Sequence, residues 1–148
     1  MRGGPHRSYV GRMLDQAAEV DQLSEALVGV FRSGKVGEVF TDDVFLDGHP
    51  PFWRFQLEGL ADVAAWLSGY VAHVPDVTAV RTMTTAEGFL TEHITTEHDA
   101  DRGELISRKL LVCAVRDGRI AGMTIYCSGD WDSTLRARHA AEAPTLRP

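Results

Sequence analysis

Gly88–Ser128, GFLTEHITTEHDADRGELISRKLLVCAVRDGRIAGMTIYCS, contains the two turns that decide how the chain folds. Asp117-Gly118 lies between two apolar runs, the strongest short-range signal for a β-hairpin. Asp99–Gly103 is a polar break that ends in glycine. The stretch therefore reads as a meander of three antiparallel strands. A two-residue turn at Asp117-Gly118 sets Arg116 opposite Arg119. It then pairs Val112 with Met123, Leu110 with Ile125 and Arg108 with Cys127. The loop at Asp99–Gly103 sets His98 opposite Glu104, which pairs Leu90 with Val112, Glu92 with Leu110 and Ile94 with Arg108.

Alternation along a strand sorts these side chains onto two faces. One face carries Leu90, Ile94, Ile106, Leu110, Val112, Met123 and Ile125, with Glu92, His98, Arg108 and Cys127 among them. The other carries Phe89, Thr91, His93, Thr95, Glu97, Ser107, Lys109, Leu111, Thr124, Tyr126 and Ser128. The first is the more apolar and is expected to face the core. Glu92 and Arg108 lie diagonally across neighbouring strands on it, within reach of each other. Two charges on an apolar face must pair or serve a site, because an isolated buried charge is very costly. A slip of one residue in either turn would exchange the faces.

The 148 residues make a natural single domain. A hydrophobic fraction of 44% and a charged fraction of 24% are those of an ordinary globular protein. The net charge of −6 and pI near 5.4 argue against a nucleic-acid surface. No apolar run reaches the ~20 residues of a membrane span. Met1–Arg12 is basic and glycine-containing, lacks the apolar core of a signal peptide, and is expected to be a disordered lead-in to a domain at 13–148. The pairing above leaves Cys113 and Cys127 roughly 16 Å apart along the strands, too far for a disulfide. A reduced, cytoplasmic protein is the expectation.

Upstream, Leu14, Leu23, Leu27, Val30 and Phe31 predict a helix over 13–31, ended by Ser33-Gly34. A short helix over 35–40 and a strand over 42–47 follow. A second strand is expected over 52–58, with Trp53, Phe55 and Leu57 on one side. Leu60–Val74 is a clear helix with Val63, Trp66, Leu67 and Tyr70 on one stripe, and Pro75 ends it. Asp76–Thr85 precedes the meander, and 131–143 forms a last helix with Asp130 or Asp132 near its N-cap. Helices come early and the long sheet late, an α+β pattern. The expected architecture is a curved antiparallel sheet wrapped on the long N-terminal helix, enclosing a conical pocket. Trp53, Phe55, Trp66 and Tyr70, with Leu110, Met123, Ile125 and Cys127 of the sheet, would line it.

Several short motifs in this order resemble the nuclear transport factor 2-like superfamily, in its SnoaL-like and ketosteroid isomerase-like branch. They are Phe31-Arg32-Ser33-Gly34, Val39-Phe40-Thr41-Asp42-Asp43-Val44, Glu58-Gly59 before a helix, Gly88-Phe89-Leu90-Thr91-Glu92-His93 and Val115-Arg116-Asp117-Gly118-Arg119-Ile120 with Tyr126. The resemblance covers most of the chain after about residue 20. It implies a curved-sheet cone with a deep apolar pocket, and often a homodimer packed sheet to sheet. It does not imply one function, because members include isomerases, polyketide cyclases, dehydratases, epoxide hydrolases and non-catalytic binders. Catalytic members often carry an acid where this chain has Ile125.

Two classes of function follow. The first is a cofactor-free enzyme that moves a proton on a small apolar ring compound, as an isomerase, cyclase or dehydratase. Glu92 would be its base, Arg108 would orient Glu92 or hold an enolate oxygen, and His49 would act as acid or base from a loop at the mouth. Glu92 and Arg108 read equally as a structural ion pair. A second constellation, His93, Tyr126 and Asp130, applies if the register slips. The other class is a pocket, or a dimerising accessory subunit, that binds without turnover. His49, Glu92 and His98 lack the spacing of metal ligands, and no phosphate loop, dinucleotide fingerprint or nucleophile elbow is present, so no cofactor or metal is expected.

Overall fold

Asp117 and Gly118 both adopt positive φ, 52° and 74°, the backbone of the tight hairpin turn that Asp-Gly favours. From that turn the sheet builds outward. The structure is a computed structural model that describes residues 9–73 and 75–147. Its elements are α1 (Tyr9–Ser33), β1 (Phe40–His49), β2 (Phe55–Glu58), α2 (Leu60–Val71), β3 (Asp76–Thr84), β4 (Gly88–Asp99), β5 (Gly103–Arg116), β6 (Arg119–Cys127) and α3 (Ser133–Glu142). Six strands form one curved, open sheet in the order β2-β1-β6-β5-β4-β3. All neighbours are antiparallel except β1 and β6, which run parallel and depart from the expected all-antiparallel sheet.

The β4–β5 hairpin has the expected register, with His98 opposite Glu104, Leu90 opposite Val112, Glu92 opposite Leu110 and Ile94 opposite Arg108. The β5–β6 hairpin keeps it only for the first two pairs, Arg116–Arg119 and Val115–Ile120. Ala121 is then an extra residue, and Ala114 pairs with Gly122, Cys113 with Met123 and Lys109 with Cys127. The expected pairs Val112–Met123, Leu110–Ile125 and Arg108–Cys127 are therefore each displaced by one. This β-bulge has a packing cause. Strict alternation could bury Ile120 or the set Met123 and Ile125, but not both. With the bulge Ile120 is 0% exposed, Met123 2% and Ile125 5%.

The core lies on the face that looked less apolar. Phe89, Leu111 and Cys113 are buried there, as are Thr91, His93, Thr95 and Ser107. Leu90, Glu92, Ile94, Arg108, Leu110 and Val112 lie on the outer face, so the expected assignment is inverted for β4 and β5, while the bulge keeps Met123, Ile125 and Cys127 of β6 facing inward as expected. α1 supplies the missing apolar contacts through Val20, Leu27, Val28, Val30 and Phe31, and α2 adds Val63 and Leu67. The buried threonines are partly reconciled with their surroundings. Ser24 Oγ of α1 lies 2.8 Å from Thr82 Oγ1, which lies 3.0 Å from Thr91 Oγ1, and Thr91 donates to the Arg81 carbonyl.

The smaller departures have local causes. No helix forms over 35–40, because Gly37 takes φ 50° and the Ile120 amide donates to the Val39 carbonyl, drawing the chain into the sheet. Phe52 and Trp53 precede β2 in a turn closed by the Trp53 amide on the Pro50 carbonyl. α1 begins at Tyr9, so residues 9–12 of the expected lead-in are helical, and Met1–Ser8 lie outside the described residues, as does Val74 of the expected second helix. α3 is capped as expected, with the Asp132 carboxylate accepting from the Leu135 amide at 2.8 Å. No described helix is long and apolar enough to cross a membrane.

Candidate functional site

Inward-facing side chains of β4 and β5 change character along the strands. Near the Asp117-Gly118 turn they are Phe89, Leu111 and Cys113. Toward the β4–β5 loop they become His93, Thr95, Glu97, Ser107 and Lys109. α2 crosses this polar end, and its stripe places Trp66 and Tyr70 over it. β2 adds Phe55, whose ring occupies the space a side chain at Gly48 would need. A Cβ on Gly48 would come within 2.3 Å of that ring. The bare glycine opposite Phe55 therefore lets the aromatic ring fold inward.

The result is a cavity of about 270 Å³, lined by His49, Pro50, Phe55, Trp66, Tyr70, Glu97, Lys109, Ile125, Cys127 and Asp130. It lies just below the ~300–1,000 Å³ usual for ligand sites. Trp66 stacks on Tyr70 at 5.8 Å and leans on Phe55 at 5.7 Å. Behind them Phe31 meets Tyr70 and His93 edge-on, at 5.6 and 5.9 Å.

Several buried polar groups at this end lack a hydrogen-bond partner among the described residues. They are the Tyr70 hydroxyl, Thr95 Oγ1 and His93 Nε2. The Tyr70 hydroxyl lies beside Thr95 and Glu97, and burial holds the phenol well above its usual range, so it stays protonated. Burial, with help from the Lys109 charge, pushes His93 down to about 4. Its imidazole is therefore neutral at neutral pH. Lys109 Nζ donates to Ser107 Oγ at 2.7 Å and lies 5.4 Å from the Tyr70 ring centre. Of Tyr70, Thr95 and His93, only Tyr70 lines the cavity, while Thr95 and His93 are buried behind it.

Known structures share this architecture. A hypothetical protein with a ketosteroid isomerase-like fold from Catenulispora acidiphila, solved with trimethylamine, superposes with a TM-score of 0.65 at 12% identity, covering 86% of this chain and 98% of that one. The epoxide hydrolase/cyclase-like enzyme SalBIII, from pyran ring formation in salinomycin, gives 0.65 at 13% identity over 78% of this chain and 98% of its own. A protein assigned as a SnoaL-like polyketide cyclase from Jannaschia sp. CCS1 gives 0.62 at 13% identity over 96% and 100%. This is the nuclear transport factor 2-like fold. No family model and no curated relative matches the chain.

Within that fold the predicted residues separate into two groups. Phe55, Trp66, Tyr70, Ile125, Cys127 and Asp130 line the cavity, and His93 is buried behind it. Met123 lies deeper in the core. His49 lines the cavity as well, and the rest of the predicted set is outside. Glu92 and Arg108 do pair, at 2.7 Å, but on the outer face, and Arg81 holds the other Glu92 oxygen at 3.0 Å. Leu110 shares that face. Tyr126 is 50% exposed and stacks on His49 at 4.6 Å. His49 Nε2 lies 3.2 Å from Asp47, which also takes both arms of Arg54, and the Arg54 guanidinium holds the Asp47 carboxyl far below the usual carboxylate range. Trp53 is 73% exposed and lines nothing.

The residues the sequence did not single out are Glu97, Thr95 and Lys109, because alternation alone does not say which face of β4 and β5 the helices cover. Among the described residues no group of three or more His, Cys, Asp and Glu side chains is placed to hold a metal ion.

Proposed function

We propose that the cavity binds a small, largely apolar ring compound bearing a carbonyl or hydroxyl group and moves a proton on it without a cofactor, as an isomerase, polyketide cyclase or dehydratase does. One observation carries this reading. The buried Tyr70 hydroxyl lies beside the Glu97 carboxylate at a cavity walled by Phe55 and Trp66. Glu97 removes the proton from the carbon next to the carbonyl, and the electron pair moves onto the oxygen. Tyr70, kept protonated by burial, donates to that developing oxyanion. Returning the proton at another carbon isomerises the compound, and attack of the enolate carbon on a second carbonyl closes a ring. The cyclase and isomerase descriptions carried by several structural neighbours support a reaction of this type.

The test is proton exchange of a cyclic ketone such as 2-tetralone in D2O, followed by NMR. The wild-type chain should exchange the α-protons above background. Glu97→Gln should lower the rate by about 10²-fold or more, and Tyr70→Phe by about as much. Glu92→Gln, on the other face, should leave it unchanged. Undiminished exchange in Glu97→Gln would sink the assignment. A second reading, binding without turnover, is favoured by Ile125, an apolar side chain where catalytic relatives often have an acid. It predicts ligand-induced shifts at Trp66 and Tyr70 with no exchange.

The same reading includes a second copy of the chain on the outer sheet face. Phe45, Met83, Val112 and Tyr126 are large and exposed there, an arrangement that usually marks an interaction surface. Cys113 and Cys127 are both free, which suits a reducing compartment such as the cytoplasm.

A further inference from the structure

Among the described residues, the only lysine or arginine lining the cavity is Lys109. Its ammonium group is partly buried, and its partners are a hydroxyl and an aromatic face. No described carboxylate lies within ion-pair distance of it. Asp130 is 3.6 Å from Arg102, and Glu97 sits beside the Tyr70 hydroxyl. Elsewhere in the molecule Glu92, Asp47 and Glu104 each have an arginine against them. A cation withdrawn from water without an anion is costly, and a ligand can supply the anion. The Tyr70 hydroxyl, beside Thr95 and Glu97, lies at the same end of the cavity.

Resting on the reading of this cavity as a ligand site, we propose that its ligands carry a carboxylate, which Lys109 holds in an ion pair while the ring system lies against Phe55, Trp66 and Ile125. A single ammonium in so small a space matches a singly charged group. Lys109 and Glu97 stand on neighbouring strands and are not paired with each other. A ligand between them presents its carboxylate to the lysine and its acidic carbon to the glutamate. The preferred substrate class is therefore an aromatic or alicyclic keto acid, over a neutral ketone of the same shape.

Two probes of nearly equal shape separate charge from fit, 2-naphthoate and 2-naphthamide, titrated into the full chain by calorimetry at pH 7. The acid should bind about tenfold tighter or more, the usual scale of a charge-assisted hydrogen bond. Lys109→Met should abolish that preference while leaving amide binding in place, and Lys109→Arg should retain it. Equal binding of the two probes, or a preference that survives Lys109→Met, overturns the carboxylate assignment and leaves the cavity reading standing. Failure of both probes to bind, with no shift at Trp66 or Tyr70, overturns the cavity reading and this inference with it. The wild-type comparison decides the matter even if a variant folds poorly.

Discussion

The two faces of the β4–β5 hairpin present opposite solutions to the same problem. The outer face is rich in apolar side chains, and its buried-looking carboxylate, Glu92, is answered by Arg81 and Arg108. The inner face has fewer apolar residues, and its buried polar groups include His93, whose Nε2 finds no hydrogen-bond partner among the described residues, and Thr95, beside the Tyr70 hydroxyl of α2. Charge on an apolar surface was the sequence's most conspicuous functional hint, and the structure sets it on the outer face as a satisfied ion pair. The proposed chemistry lies instead at the inner cavity, beside Tyr70 and Glu97.

The contrast is sharpest between two adjacent leucines of β5. Leu111 is 0% exposed on the inner face, whereas Leu110 stands on the outer one. Leu111→Ala should destabilise the chain by about 2–5 kcal/mol through lost burial and a cavity. Leu110→Ala should cost no more than about 1 kcal/mol in the monomer. Urea unfolding at low protein concentration compares them, and equal costs would undo the inner and outer assignment.

His93 gives the next largest effect. Its folded value of about 4 lies below the ordinary 6.5, so the unfolded chain takes up the proton first. Stability is then fully present above about pH 6.5 and falls as the pH drops toward 4. The span of the shift bounds the loss at about 3 kcal/mol. Unfolding midpoints measured from pH 7 to pH 4.5 should fall, and His93→Gln should flatten the slope in that window. A wild-type midpoint independent of pH across it would mean that His93 is not buried in neutral form.

The smallest effect on folding, and the clearest on assembly, belongs to the outer face. Val112→Lys with Tyr126→Lys should change monomer stability by about 0.5 kcal/mol per site at most. Sedimentation should show a dimer for the wild type and a monomer for the double variant. A wild-type monomer at tens of micromolar would remove the second copy from that face.

Much of the fold was legible because local sterics settle it. Asp117-Gly118 can take the positive φ values of a tight turn, the loop at Asp99–Gly103 fixes the β4–β5 register, and apolar spacing marks α1 and α2. Part of the site was legible for the same reason, since the α2 stripe that brings Trp66 and Tyr70 together is local. The remainder was not. A period of two defines two faces but does not say which one a helix will cover. That choice rests on the long-range packing of Phe31 and Leu27 against Phe89 and Leu111. The extra residue at Ala121 answers to burial of Ile120 together with Met123 and Ile125, a demand of the whole core. The sequence by itself determined the hairpins, the helices and the pairing of Glu92 with Arg108. Only the tertiary structure decided that this pair faces outward and that Tyr70, Glu97 and Lys109 meet inside, because burial is a property of what lies across from a strand.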